Sequence, residues 1–359
     1  MNCELKCNLS LQTASQTKLY RIDMIIRLIL TAISAFILTL VLMPLVIALS
    51  KKLKMRQVVL HYVDNHASKS GTPTMGGSAF IVAVSIVAMI FFAPDNYLGL
   101  VTVAMFVGYG IIGFLDDFLK IFFKRNKGLS VYQKLISQLA LAILVSIFAY
   151  NRSDVGSEIW LPGLKHTIDI GYWAVPFVVI VFLAMTNAVN LADGLDGLAT
   201  SVSTAYTICF SGIIALLLVF SPNLGQTLMH EYQNLLIFGV ALLGGMVAFG
   251  CFNGFPAKIF MGDTGALALG GALAAMATFS RLHIFVPIVG IMFVLTSLSV
   301  LIQVGYYKLT KKRIFLMAPL HHHFERKGYH ENKIVISYTV VTMIAGLLCI
   351  MGIVMFNPL

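Results

Sequence analysis

The sequence predicts an all-α polytopic integral membrane protein, and two observations carry that reading. The chain is 58% hydrophobic and only 11% charged, with a mean hydropathy of +0.89, well outside the composition of a water-soluble domain. Its apolar residues also fall into runs of roughly 18 or more, the length a helix needs to cross the hydrocarbon core. Helices and closed barrels are the two architectures that satisfy their backbone in lipid, and a barrel would show short alternating segments instead. Ten spans are predicted, at 24–49, 76–93, 97–115, 133–150, 171–189, 198–220, 233–252, 264–280, 283–307 and 334–356.

An even number of spans puts both termini on one side. Loops after the odd-numbered spans carry eighteen of the 25 Lys and Arg residues, so those loops are predicted to be cytoplasmic and the termini to lie outside. This bias, with attraction to anionic lipid, accounts for the net charge of +10 and calls for no nucleic-acid partner. Cys3, Cys7, Cys209, Cys251 and Cys349 have neither metal-ligand spacing nor the pattern of a disulfide framework. Residues 1–23 read as a polar external extension without the apolar core of a secretory signal, and Met24, which opens the first span, is the expected translation start. Residues 24–359 read as one ten-helix membrane domain.

The first cytoplasmic loop ends in Lys69-Ser70-Gly71-Thr72-Pro73-Thr74-Met75-Gly76-Gly77. The proline gives a rigid turn and the glycines a close backbone approach, which places Lys69 and the threonine hydroxyls near an anion; the alternative is a plain turn feeding a helix. The third span is predicted to end at Gly113-Phe114-Leu115-Asp116-Asp117, followed by Lys120. Two carboxylates at a helix C-terminus oppose the negative end of its dipole, so either the nearby lysines or a metal or substrate must offset them. Lys134 opens the fourth span. Residues 150–170 form the longest external connection, and alternation around 158–161 and 167–170 predicts a short hairpin without chemistry. His230 and Glu231 read as solvated loop residues.

The stretch Asn187-Ala188-Val189-Asn190-Leu191-Ala192-Asp193-Gly194-Leu195-Asp196-Gly197 organises the rest. It concentrates two amides and two carboxylates between apolar runs, an expensive arrangement unless the groups bind something. Acidic and amide oxygens suit a hard cation such as Mg²⁺, which completes its shell with substrate phosphates. A second glycine-rich stretch runs from Asn253 through Pro256 and Phe260 to Gly262-Asp263-Thr264-Gly265; its glycines let the backbone turn tightly beside a ligand at Asp263. The last cytoplasmic loop holds Ala318-Pro319-Leu320-His321-His322-His323. Three consecutive histidines cannot all turn to one metal on a regular element, so they suit hydrogen bonding to phosphate or sugar, or a solvated basic loop.

All five motifs fall on the same predicted face. Carboxylates with separated lysines, and no serine or cysteine nucleophile, fit metal-assisted phosphoryl transfer, and the membrane edge points to a lipid as one substrate. A secondary transporter would instead place its acids near the bilayer midplane.

In their order and spacing these motifs resemble the bacterial phospho-N-acetylmuramoyl-pentapeptide-transferase family, within the polyprenyl-phosphate N-acetylhexosamine-1-phosphate transferase superfamily. The likeness runs from about Met24 to the end of the chain. The acidic motifs are similar to those of the whole superfamily, including its GlcNAc-1-phosphate transferases, while the 72–77 and triple-histidine motifs resemble the muramoyl branch. The resemblance implies transfer of phospho-MurNAc-pentapeptide from UDP-MurNAc-pentapeptide to undecaprenyl phosphate, with Mg²⁺, in a homodimer of the bacterial cytoplasmic membrane. It implies metal contacts at Asp263 and Asn187 and catalytic roles for Asp116, Asp117 and Asp263. Lys69, Thr74, Lys120, Lys134, Asn190, Asp193, Asp196, Asn253, Phe260, His321, His322 and His323 would contact substrate. Because a prenyl phosphate is already largely a dianion, direct attack is expected rather than an aspartyl-phosphate intermediate. Asp117 is the expected proton acceptor, since adjacent helical residues point about 100° apart.

Overall fold

The computed structural model describes residues 2–53, 71–123, 128–161, 166–220 and 225–356, with side chains from residue 22 onward. Lys69 lies outside them. The described chain forms α1 (Asn2–Lys52), α2 (Gly77–Phe91), α3 (Tyr97–Phe122), α4 (Val131–Asn151), α5 (Ala174–Ala192), α6 (Leu198–Phe220), α7 (Gln226–Asn253), α8 (Gly262–Phe279), α9 (Phe285–Val289), α10 (Ile291–Thr310), α11 (Leu320–Arg326) and α12 (Glu331–Phe356). Among the described residues, eight helices are long and apolar enough to cross a membrane: α1 from Ile22, α3, α4, α5, α6, α7, α10 and α12. The other two predicted runs are helical as well, α2 over 15 residues and α8 over 18.

At the centre stands α8. Every residue from Thr264 to Phe279 is buried, the signature of a helix enclosed on all sides. Its glycines and alanines give it a thin profile, so α3 and α5 pack closely along it. At Gly271 an added Cβ would fall 2.5 Å from the Tyr109 ring of α3. Around this centre, α1, α10 and α12 turn residues such as Ile25, Leu45, Leu301 and Leu348 outward, as lipid-facing helices do.

Four departures from the sequence reading have local causes. First, α3 does not stop at 115 but continues to Phe122. Asp116 and Asp117 therefore lie inside the helix, where Lys120 pairs with them at i+4 and i+3 and offsets the unfavourable dipole. Second, the expected span 283–307 is divided into α9 and α10 at Gly290, whose missing side chain leaves room 2.7 Å from the Val286 carbonyl. Third, the polar extension joins the first span in one 51-residue helix. Fourth, Glu231 is not a solvated loop residue: it is fully buried in α7. Its Oε2 accepts from the Leu98 backbone N–H at 2.9 Å, and Asn234 Oδ1 accepts from Ala93 N–H at 2.6 Å. The N-terminus of α3 has no side-chain cap of its own, so Glu231 of α7 supplies an acceptor there, while Asn234 holds the connection that precedes it. The hairpin forms as expected, Glu158–Trp160 (β1) antiparallel to Thr167–Asp169 (β2) with Ile159 opposite Ile168.

Candidate functional site

A glycine contact between α3 and α8 positions the site. An added Cβ at Gly113 would collide with the carbonyl of Asp263. Without it, the N-terminus of α8 presses on α3 one turn before Asp116 and Asp117. Gly262, at φ +74°, makes the turn into α8; a Cβ there would stand 2.6 Å from Asp117 Oδ2. The result is three carboxylates, Asp116, Asp117 and Asp263, each with an oxygen within 4.8 Å of the others. Both adjacent aspartates reach the cluster, so the 100° between them excludes neither, because Asp263 straddles the pair.

Each carboxylate is held on one side and open to a lysine on the other. Asp116 Oδ1 accepts from Leu129 N–H at 2.8 Å. Asp117 Oδ2 accepts from Thr264 N–H at 2.9 Å and from its hydroxyl at 2.8 Å. Asp263 Oδ1 accepts from Asn190 Nδ2 at 2.6 Å. Lys120 Nζ lies 2.5 Å from Asp116 Oδ2, 2.7 Å from Asp263 Oδ2 and 3.6 Å from Asp117 Oδ1. Lys134 Nζ lies 2.8 Å from Asp263 Oδ2 and 3.9 Å from Asp116 Oδ2. Three acids against two lysines leave an excess negative charge in a site largely shielded from water, where attraction for a further cation is strong. Asp193, at the end of α5, feels that excess. Its carboxyl is pushed up to about 8 by burial and then by the charges of Asp263, Asp117 and Asp196.

The 72–77 segment pairs with the stretch before Asp263. Phe260 N–H donates to Pro73 O at 2.8 Å, Gly76 N–H to Phe260 O at 2.9 Å and Gly77 N–H to Met261 O at 3.1 Å. This brings Thr74 Oγ1 to the face of Gly262 beside Asp117. Phe260, expected to contact substrate, is held in place by two of these backbone bonds.

Three other expected contacts have structural partners. Asn253 is buried, its Oδ1 accepting from Thr200 Oγ1 at 2.7 Å and its Nδ2 donating to Ile259 O at 3.1 Å. Both ends of its amide are thus spent on shaping the 253–260 loop. Asp196 is also buried, and its Oδ2 accepts from Ala257 N–H at 3.0 Å. Asn187 Nδ2 donates to Gln138 Oε1 at 2.7 Å and to Leu183 O at 2.8 Å, which leaves Oδ1 as its ligand-capable atom. Of the two amides on α5, it is Asn190 that touches Asp263.

The histidines separate by role. His321 is fully buried, faces Gly194 and has neither ring nitrogen hydrogen bonded among the described residues. Burial pulls its pKa down to about 3. His322 Nδ1 meets Glu325 Oε2 at 2.8 Å. His323 Nδ1 accepts from Leu316 N–H at 3.1 Å, and its pKa is lowered by desolvation and by Lys327.

Thr264 and Gln138 were missed by sequence reasoning. Gln138 had a signal: it sits four residues after Lys134, on the same face of an otherwise apolar helix. Thr264 had none beyond its place beside Asp263.

The description "Glycosyl transferase family 4" belongs to the family model that matches residues 97–281, just over half of the chain. That interval contains the carboxylate cluster, both lysines and the 187–197 stretch. The phospho-N-acetylmuramoyl-pentapeptide-transferase of Thermoanaerobacter sp. (strain X514) is 44% identical over 323 residues, 90% of this chain and 97% of that protein. The transferase of the same name from Clostridium perfringens (strain 13 / Type A) is 43% identical over 319 residues, 89% and 96% of the two chains. A third, from Caldanaerobacter subterraneus, is 45% identical over 280 residues. With a site of clustered carboxylates and lysines at one end of a membrane helix bundle, this chain belongs to glycosyl transferase family 4 and, within it, to the family of phospho-N-acetylmuramoyl-pentapeptide-transferases.

Proposed function

We propose that this protein transfers phospho-MurNAc-pentapeptide from UDP-MurNAc-pentapeptide to undecaprenyl phosphate, releasing UMP and forming the lipid-linked sugar known as lipid I. The observation that carries this reading is the Asp116–Asp117–Asp263 cluster threaded by Lys120 and Lys134. Carboxylates that face one another with lysines between them suit chemistry in which phosphates change partners.

The donor set fits Mg²⁺: three carboxylates with oxygens within 4.8 Å of one another are hard ligands that leave room for substrate phosphates. Asp116, Asp117 and Asp263 would hold the ion, with the Asn187 amide oxygen as a further contact. Bound there, Mg²⁺ supplies charge neutralisation for the diphosphate and the departing UMP.

The chain's own residues do the rest. Lys120 is about a third exposed and bound to all three acids, so it can exchange a carboxylate for a phosphate as substrate arrives. Lys134 and Asn190 keep Asp263 oriented meanwhile. An oxygen of the prenyl phosphate attacks the sugar-bearing phosphorus of the UDP carrier, and the bond from that phosphorus to the oxygen it shares with UMP breaks. Asp117 accepts any residual proton of the lipid phosphate. Lys69, Thr74, Asp193, His322 and His323 are assigned to phosphate, uridine and sugar, whereas His321 supports the 193–197 turn from behind. The protein spans the bacterial cytoplasmic membrane ten times as a homodimer, with both termini outside and the site on the cytoplasmic face.

Purified protein supplied with undecaprenyl phosphate and Mg²⁺ is expected to release one UMP per lipid product from UDP-MurNAc-pentapeptide and none from UDP-GlcNAc. Turnover of UDP-GlcNAc alone would move the chain to the GlcNAc-1-phosphate branch, and turnover without Mg²⁺ would remove the metal assignment.

A further inference from the structure

Asn187 meets two partners through one atom. Its Nδ2 donates to Gln138 Oε1 at 2.7 Å and to Leu183 O at 2.8 Å. The direction of this amide is set from Leu183, because a backbone carbonyl can only accept; the group against it must be the –NH₂, and the Asn187 carbonyl oxygen is turned the other way. Gln138 repeats that constraint from a different helix. It is 1% exposed in α4, and its backbone is held to α3 by Tyr109, whose hydroxyl donates to Gln138 O at 3.0 Å.

The pairing lies in register with the carboxylate site. Gln138 follows Lys134 by one turn of α4, and Asn187 precedes Asn190 by one turn of α5, so the two helices meet in two rungs a turn apart. In one rung Lys134 and Asn190 both bind Asp263; in the other Gln138 binds Asn187. The second rung carries a cost. Gln138 Nε2 is buried and has no hydrogen-bond partner among the described residues, which folding alone does not explain. Rotating the Gln138 amide would not relieve it, since two –NH₂ groups would then face each other, and the nitrogen is too enclosed to meet a substrate. An apolar residue in this stretch of α4 would avoid the penalty, so what Gln138 adds is the direction it gives Asn187.

Given Asn187 as an ion contact, as assigned above, we propose that Gln138 is a positioning residue for it. Gln138 locks the Asn187 amide so that its carbonyl oxygen, and not its –NH₂, is presented to the cation beside Asp263. An –NH₂ in that place would repel a cation and attract a phosphate, so the rung sets the sign of charge that this side of the site prefers.

The test titrates Mn²⁺, standing in for Mg²⁺, into full-length, detergent-purified protein without either substrate, with the free ion followed by electron paramagnetic resonance. Gln138→Met keeps the length of the side chain and removes the acceptor; it is expected to bind Mn²⁺ about tenfold more weakly, the usual scale for losing a residue that orients a metal ligand. Gln138→Glu, which still accepts from Asn187 Nδ2, should keep binding near the wild-type value. In an Asn187→Ala background, itself weakened, Gln138→Met should have no further effect, because the two residues act as one. Tyr109→Phe, which loosens the Gln138 backbone but leaves the rung, should lower the thermal midpoint and leave Mn²⁺ affinity unchanged. Should Gln138→Met fail to fold, Gln138→Leu lacks the same acceptor and takes its place. Unchanged affinity in the acceptor-free variant, with Asn187→Ala weakened, overturns the role of Gln138 and leaves Asn187 an ion contact. Unchanged affinity in Asn187→Ala overturns the ion contact and the role of Gln138 with it. A loss of similar size in Tyr109→Phe, or additive losses in the Asn187→Ala/Gln138→Met double variant, would make Gln138 a packing residue only.

Discussion

Asp263 receives Asn190 on one oxygen and both lysines on the other, so it is the residue through which α3, α4, α5 and α8 share one charge. Asp263→Asn leaves the shape nearly unchanged but removes the acceptor that orients both lysines and a ligand for the cation. Turnover is expected to fall by a factor on the order of 1,000 with the unfolding midpoint little changed; near-normal turnover at ordinary Mg²⁺ would exclude the assignment. Asp117 is poorly placed to be a nucleophile, because Oδ2 already accepts two hydrogen bonds from Thr264 and Oδ1 faces Lys120. Rapid-quench incubation with labelled UDP-MurNAc-pentapeptide and no prenyl phosphate is therefore expected to give no UMP burst and no labelled enzyme. A stoichiometric burst abolished by Asp117→Asn would establish a two-step route. His321 makes a different kind of prediction. Its folded pKa of about 3 lies below the ordinary 6.5, so between those values the unfolded chain binds more protons and stability falls as the pH drops. Thermal midpoints measured from about pH 7 to 4.5 should decline, and the decline should be shallower in His321→Gln; parallel slopes would show that His321 is not the group responsible.

Among the helices, α8 is the one that nothing else can replace. Its small residues let α3 and α5 approach along its whole length, and the same closeness at Gly113 sets Asp263 against the Asp116–Asp117 pair. Core packing and the geometry of the site are thus one contact seen from two ends. At the opposite end of α3, α7 performs an unrelated task by capping a bare helix N-terminus with Glu231 and holding the Ala93 N–H of the preceding connection with Asn234. Arg152 stands 3.9 Å from the buried Glu231 Oε1. Removing the acceptor strands the buried Leu98 N–H and leaves Arg152 with Asp154 as its remaining acidic partner, so Glu231→Ala should cost about 1–3 kcal/mol. The chemistry lies at the far end of α3, so kcat of the folded fraction should stay within about twofold, as judged by transferase assay after thermal challenge. A large kcat loss at unchanged stability would mean that the two ends of α3 are coupled.

For the whole molecule, the decisive arrangement is that five separated motifs converge on one end of the bundle. Thr74 meets Gly262, Asp116 and Lys134 meet Asp263, Asp196 meets Ala257, and His321 meets Gly194. The β1–β2 hairpin, tied to Arg281 through Glu158, and the Glu231 cap lie at the other end. Single cysteines placed at 258 or 320 are accordingly expected to resist an impermeant thiol reagent in intact cells, while those at the exposed positions 95, 166 and 226 react. Labelling at 258 from outside would split the shared site.

Length and charge pattern were enough to read the helical membrane class, the position of each apolar run and the gathering of the motifs at one end of the bundle. These are local properties: a run is long enough to cross lipid or it is not, and lysines bias a loop wherever they fall. The sequence also held the acids and the glycines that the site needs. What it did not contain was the pairing. That Asp116 and Asp117 both join Asp263, that Asn190 rather than Asn187 touches Asp263, that Asn253 and Asp196 brace a loop, and that Glu231 is buried all depend on segments tens to more than a hundred residues apart. Such contacts arise only when close packing brings glycine faces together, because hydrogen bonds and ion pairs act over a few ångströms and carry no trace along the chain.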